Sequence, residues 1–489
     1  MSNSSALISA ALLALAIPAS LRAAATIIIV NGDTGTNGFN ELTAAAPVGG
    51  NSGMTLGAQR LIAFQAAATK WGALLNSTEV IHVYVTWEPL TCTPTSAVLE
   101  SAGPSTVWAN FPGAPFPNTW YHAAMANKIA RQDLFPDPHD SVPALAPSPF
   151  AADMRIVINS GLGTPDCLAG SGFYLGLDNN HGVLIDLVTV LTHEIAHGLG
   201  FMTVTDGGSG FQFGPPFYPA LWDHFLLDTK TNKTWDAMTP GERRASATNE
   251  RRLVWNGAAV TAATPAVLKP GTPLLTVSAP VSVAGTYQIG RAAFGAAIDN
   301  PGLTGEVIQL IDTPGAAGLG CSPISLVSSA SVNGKIALVD RGVCTFTVKA
   351  ANLQAAGAIG VIIADNVPGG PPADLGGTDP TVTIPVVRIT FDDAQALKTA
   401  LQFGSRAHSG VYATIGLNPG IRAGADAFGR AILYTPNPYQ PGSSVSHWDT
   451  IAFPNQLMEP NINPDLTHEV TPPFDLTFPL LSDLGWLMP

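Results

Sequence analysis

Residues His193-Glu194-Ile195-Ala196-His197-Gly198-Leu199-Gly200-Phe201 hold two histidines four positions apart, with a glutamate beside the first. On a helix, positions i and i+4 project from one face, about 6 Å apart along the axis. Two neutral imidazoles at that spacing can grip one zinc ion. Glu194 sits one position round the helix, where its carboxylate can reach a water without occupying the metal. A zinc so held lowers the pKa of a water it binds to about 7, and a glutamate placed like Glu194 takes its proton. The chemistry this implies is peptide-bond hydrolysis, with Glu194 passing the proton on to the leaving amine. A near copy, Leu466-Thr467-His468-Glu469-Val470, lacks the second histidine, because the position four after His468 is Pro472. A proline there is neither a ligand nor a residue of a helix interior.

A catalytic zinc takes three protein ligands, and the stretch supplies two. The compact motif H-E-x-x-H-x-x-G-x-x-H would place the third at position 203, which is Thr203. Asp206, Asp223 and His224 are the nearer alternatives, and Asp206 or Asp223 would give a zinc protease with a different ligand set. His447 has the stronger frame. It lies in the Gly/Ser-rich segment Gly442-Ser443-Ser444-Val445-Ser446-His447-Trp448-Asp449, eleven residues before Met458. Here the chain resembles the leishmanolysin family of metzincin zinc metalloproteases. The resemblance rests on His193, Glu194, His197, Gly200 and Phe201, then Ser446, His447 and Trp448, then Leu457, Met458 and Pro460. It covers roughly 26–265 and 417–489, and Leu480-Leu481-Ser482-Asp483-Leu484-Gly485-Trp486 is similar to the family's terminal helix. It implies one zinc ion held by His193, His197 and His447, Glu194 as general base, and Met458 as a hydrophobic floor rather than a catalytic group.

These residues need a scaffold. Thr26–Asp33, Glu79–Glu88 and Ala152–Ser160 have the apolar content and alternation of strands, and Gly57–Leu75 has helical periodicity. A long apolar helix over about 181–199 carries the motif, and Gly198 and Gly200 end it with a sharp exit. The stretch 103–150, rich in Pro and aromatics, is expected to be irregular. A strand near Arg155–Asn159, taken as a sheet edge, would hold extended substrate by main-chain pairing.

The character changes near residue 265. Gly334–Gly342 is a strand, Thr345–Ala358 a helix and Ile359–Asn366 a fully apolar strand, which together make a compact β-α-β unit. This stretch resembles the protease-associated (PA) domain over about 272–416. It lacks the G-x-G-x-x-G of a dinucleotide site and has no visible catalytic constellation, so its role would be a lid or substrate-docking module. The four cysteines allow three pairings. Proximity favours Cys321–Cys344 and Cys92–Cys167, and the PA resemblance implies the first.

The resulting fold class is α+β: a metzincin-like zinc protease domain, a twisted sheet plus active-site helix, interrupted by an α/β PA domain. The expected boundaries are a signal peptide at 1–25, protease at 26–271, inserted domain at 272–416, and protease again at 417–489 with the third ligand and Met-turn. Residues 6–17 form the apolar core of the signal, and Ala23-Ala24-Ala25 fits its cleavage site. Net charge of −13 and the absence of a basic stripe argue against a nucleic-acid partner. No later stretch is long and apolar enough to span a membrane. The expectation is a secreted, monomeric zinc metalloendopeptidase acting on proteins or peptides. The alternative from another class is a non-catalytic secreted protein that binds peptide or glycan through the inserted domain.

Overall fold

The structure, a computed structural model, describes residues 24–94, 96–136, 150–299, 301–311, 318–369, 372, 374–405 and 407–487. The expected signal segment lies outside them except for Ala24 and Ala25. In chain order the first part holds β1 (Ile27–Asn31), α1 (Leu56–Leu74), β2 (Ile81–Glu88), β3 (Glu100–Pro104), α2 (Ala123–Ala130), β4 (Met154–Asn159) and α3 (Leu187–Leu199). The sheet order is β1-β2-β4-β3, with the first three parallel and β3 antiparallel to β4. Alternation sets the faces: Ile81, Val83, Val85 and Trp87 of β2 are all buried.

The strand Met154–Asn159 is therefore interior, not an edge as expected from sequence. Its outer side is covered by β3, whose Glu100 pairs with Ile158 and Ser101 with Val157. The free edge belongs to Glu100–Pro104.

Helix α1 is capped by Thr55, whose hydroxyl accepts from the Ala58 amide at 3.2 Å. Its small residues Ala63, Ala67 and Ala68 are buried and let it lie close on α3, and Trp71 donates its indole N–H to the Thr192 carbonyl at 3.0 Å. All 13 residues of α3 are buried, which suits a helix apolar on most of its circumference. The helix starts at Leu187, not near 181. Asn179 and Gly182 have positive φ, so the chain turns there, and Asp186 then caps α3 by accepting from the Thr189 amide at 2.7 Å.

Two glycines near the end of α3 do different jobs. Gly200 takes φ of 123° as the C-cap and turns the chain, as expected. Gly198, expected to share that role, lies inside the helix and is a close-approach residue. A Cβ on it would collide with Met154 of β4.

After helix α4 (Ala258–Val267) the chain builds β5 (Pro270–Ala279), β6 (Gly285–Gln288), β7 (Gly290–Arg291), β8 (Leu303–Gln309), β9 (Ile336–Asp340), α5 (Phe346–Ala355), β10 (Gly360–Ala364), β11 (Val386–Ile389), α6 (Phe391–Leu401) and β12 (Tyr412–Arg422). These strands form one sheet in the order β6-β5-β12-β8-β9-β10-β11-β7, with β8, β9, β10 and β11 mutually parallel. All five residues of β10 are buried, as a strand covered on both faces requires. Helix α7 (Thr477–Leu484) closes the chain. One buried apolar cluster draws on 25–268 and 425–486, and two others lie within 275–415. Disulfides join Cys92 to Cys167 and Cys321 to Cys344.

Because Gly198 sets how closely α3 approaches the sheet, Gly198→Ala is expected to destabilise the protein by about 1–3 kcal/mol through overpacking. Urea unfolding measures this, and an unchanged midpoint would contradict the packing role.

Candidate metal centre

Helix α3 places His193 and His197 one turn apart, and the segment after β12 brings His447 onto them. The three Nε2 atoms form a near-equilateral triangle: 3.1 Å for His193–His197, 3.2 Å for His197–His447 and 3.3 Å for His193–His447. All three side chains are buried. Each Nδ1 has a backbone carbonyl at 2.8 Å, from Leu457, Phe201 and Ser443 respectively. A carbonyl only accepts, so each Nδ1 carries the ring proton and each Nε2 presents a bare lone pair. Burial keeps the rings neutral. It lowers His193 to about 4 and His447 to about 3, and it drives His197 well down with added repulsion from its two neighbours.

Three acceptor nitrogens facing one another could hold one cation. Tetrahedral zinc with Zn–N of about 2.0–2.1 Å requires N···N separations of about 3.3–3.4 Å, and the observed triangle fits. Among the described residues this is the one group of three or more His, Cys, Asp or Glu side chains arranged to hold a metal. The three histidines face a cleft of about 850 Å³ lined also by residues 96–102, Glu194, Met202, Gln440–Ser443 and Glu459–Ile462.

Met458 is buried, and its carbonyl accepts from the Trp448 amide at 2.8 Å, next to His447. The preceding Leu457 supplies the carbonyl for His193. The alternatives near the helix are occupied elsewhere. Asp223 accepts from Thr203 and Thr205 hydroxyls, Asp206 accepts from Gly208 and Ser209, and His224 meets Thr119 and Asp236. Thr203, at the position of the compact motif's third histidine, donates its amide to Ser446 beside His447 at 3.3 Å. His468 lies 2.8 Å from Asp186 and so buttresses the N-cap of α3 rather than the metal site.

Glu194 is buried on the same helix, and burial pushes its carboxyl up to about 8. Sequence reasoning missed its neighbour Glu100, the first residue of β3. Glu100 is buried, neither oxygen has a hydrogen-bond partner among the described residues, and burial together with the Glu194 charge raises it well above the usual carboxylate range. Nothing in its local sequence marks it. Only the pairing of β3 with β4 brings it beside the helix.

Residues 303–397 match the family model described as PA domain, so the chain carries that domain. Vacuolar-sorting receptor 2 of Arabidopsis thaliana is 31% identical over 147 residues, which is 27% of this chain and 23% of the receptor. Leucine aminopeptidase 2 of Trichophyton rubrum is 40% identical over 75 residues, 15% of each chain. The probable lipoprotein aminopeptidase LpqL of Mycobacterium tuberculosis is 39% identical over 89 residues, 18% of this chain and 17% of its own. BSAP, a zinc aminopeptidase from Bacillus subtilis, is similar in structure over 31% of this chain and 32% of its own, at 28% identity and a TM-score of 0.22. The chain thus spans less than a quarter of the length of each of these three curated relatives. No helix among the described residues is long and apolar enough to cross a membrane.

A histidine held neutral in the fold is protonated first in the unfolded chain, so its contribution to stability is lost as pH falls below about 6.5. For metal-free protein, the stability of wild type relative to His447→Asn is expected to drop by about 2 kcal/mol between pH 7 and pH 5. The window follows from the depressed His447 value of about 3. Urea titrations at both pH values test it, and a pH-independent difference would show that the ring is not held neutral.

Proposed function

We propose that this protein is an exported zinc metalloendopeptidase of the metzincin type. In this reading residues 1–25 are the signal, 26–271 and 417–489 form the protease, and 272–416 are inserted within it. One observation carries the reading: three proton-free Nε2 atoms converge within 3.3 Å of one another, on and beside a helix that also presents Glu194 to an open cleft. His193, His197 and His447 would hold a single zinc ion.

Zinc bound there supplies Lewis-acid polarisation of a peptide carbonyl and acidifies a water near neutral pH. The chain's own groups do the rest. Glu194 accepts a proton from the attacking water and delivers it to the nitrogen of the leaving amine. A base works best when its affinity for protons lies near the working pH; burial raises that of Glu194, and a cation held by the histidines would offset part of the rise. The free edge of β3 lies along the cleft, so its backbone offers N–H and C=O groups to an extended peptide. The rings Phe201, Trp222 and Trp448 pack together beside the ligands, with centroids 5.0 and 5.2 Å from Phe201, and keep water from the back of the site.

A second reading, exopeptidase action, is favoured by the aminopeptidase names of two of the relatives. The test uses the full chain, zinc per mole, casein, and a peptide with free or acetylated N-terminus. Glu194→Gln is expected to keep its zinc and lose about 10²–10⁴-fold in kcat, whereas His447→Ala is expected to hold zinc about 10²-fold more weakly, through His193 and His197 alone. Wild-type cleavage by Glu194→Gln would remove the enzymatic reading. Cleavage of the acetylated peptide separates endopeptidase from exopeptidase, since an aminopeptidase leaves it intact.

A further inference from the structure

The segment that carries His447 leaves the inserted sheet at Arg422, and the junction there is built from backbone. Strands β5 and β12 leave the PA sheet side by side, with Pro270 opposite Arg422. Just beyond, three hydrogen bonds close a triangle. Ala423 donates to Lys269 at 3.0 Å, Lys269 donates to Phe453 at 2.8 Å, and Phe453 donates to Ala423 at 3.4 Å. The Arg422 guanidinium reaches the Leu268 carbonyl at 3.1 Å and ties the two connections again. The stalk of the inserted domain therefore grips Phe453, six residues after His447.

The loop between is taut. Ala452 donates to the Asp449 carbonyl at 3.1 Å, Asp449 donates to Ile432 at 2.9 Å, and Tyr434 donates to the His447 carbonyl at 2.9 Å. Gly424 presses on this loop with φ of +89°, and a Cβ there would stand 2.6 Å from the Ala452 Cα. Only glycine meets both demands, the left-handed backbone and the close approach. An ion pair steadies the same loop: the Arg251 guanidinium lies 3.7 Å from the carboxylate of buried Asp449.

We propose that the PA domain is a positioning element for the third metal ligand, acting on His447 through the stalk at Lys269, Arg422, Ala423 and Gly424. Displacing the stalk relative to α3 shifts the loop that ends at Phe453, and with it His447, against His193 and His197 on the helix. The inference rests on the zinc reading above, and it gives the inserted domain a role in holding the metal rather than in docking substrate alone.

The test is a double-mutant cycle on the zinc dissociation constant, read by competition with a chromophoric chelator in the full chain. Gly424→Ala is expected to weaken zinc at least about 10-fold when His447 is present and less than about 2-fold in the His447→Ala background. Arg422→Gln, a milder change that removes the stalk's bond to the Leu268 carbonyl, is expected to weaken zinc about 3-fold and keeps the test open should Gly424→Ala not fold. Ile363→Val, a core change on β10 away from the stalk, is the control and is expected to leave the constant unchanged. Wild-type zinc affinity in both folded stalk variants overturns the proposal, as does an equal loss with and without His447, which would mean general loosening. Failure of the wild type itself to bind zinc would instead sink the metal reading beneath it.

Discussion

Three imidazole nitrogens without protons point at one another across about 3 Å, and much of the architecture exists to keep them there. In water such rings would turn apart or one would take up a proton. Here neither is open. The carbonyls of Phe201, Leu457 and Ser443 lock each ring by its Nδ1–H. Protonation would place an imidazolium in a buried space among neighbours that bear no negative charge at contact distance, and burial holds all three values far below that of a free histidine. The fold thus satisfies one nitrogen of every ring and leaves the other for an ion, as metal-ligating histidines require of their surroundings.

Those three carbonyls belong to three segments, and each segment is pinned by the others. Phe201 follows the helix cap, and Trp486 from the end of the chain donates to Leu199, two residues back, at 2.8 Å. Leu457 is fixed through its own amide, which donates to buried Asp475 at 2.7 Å. Ser443 lies in the cleft wall that leads into His447. No single element positions the site. It depends on closure between α3 and the chain's last 70 or so residues.

The local parts of this were legible in the sequence. Periodicity placed α1, α3 and the strands of the β-α-β unit, because each buries a regular stripe or a whole face. His447 was legible only by its company, Ser446, Trp448 and Met458, since a loop histidine has no periodicity to announce it. What could not be seen was pairing. The strand at Met154–Asn159 looks like any half-buried strand, and nothing in Glu100–Pro104 says that it will cover it. Glu100 was missed for the same reason. Gly198 and Gly200 look alike in the sequence, yet one is there for a turn and the other for the bulk of Met154. Asp223 and Asp206 were plausible ligands until the structure gave their oxygens to threonine, serine and backbone donors.

The same burial that keeps the histidines neutral works in the opposite direction on the acids. Glu194, Glu100 and Glu459 all border the cleft, all are raised chiefly by desolvation, and none of the cleft-lining residues is Lys or Arg. No Lys or Arg among these lining residues is there to ionise them. A divalent cation held by the three nitrogens would favour the carboxylate of Glu194 over the acid, and its loading would release a proton, because attraction across a buried site is worth far more than in water. That coupling follows from where the chain buries these side chains, before any substrate is considered.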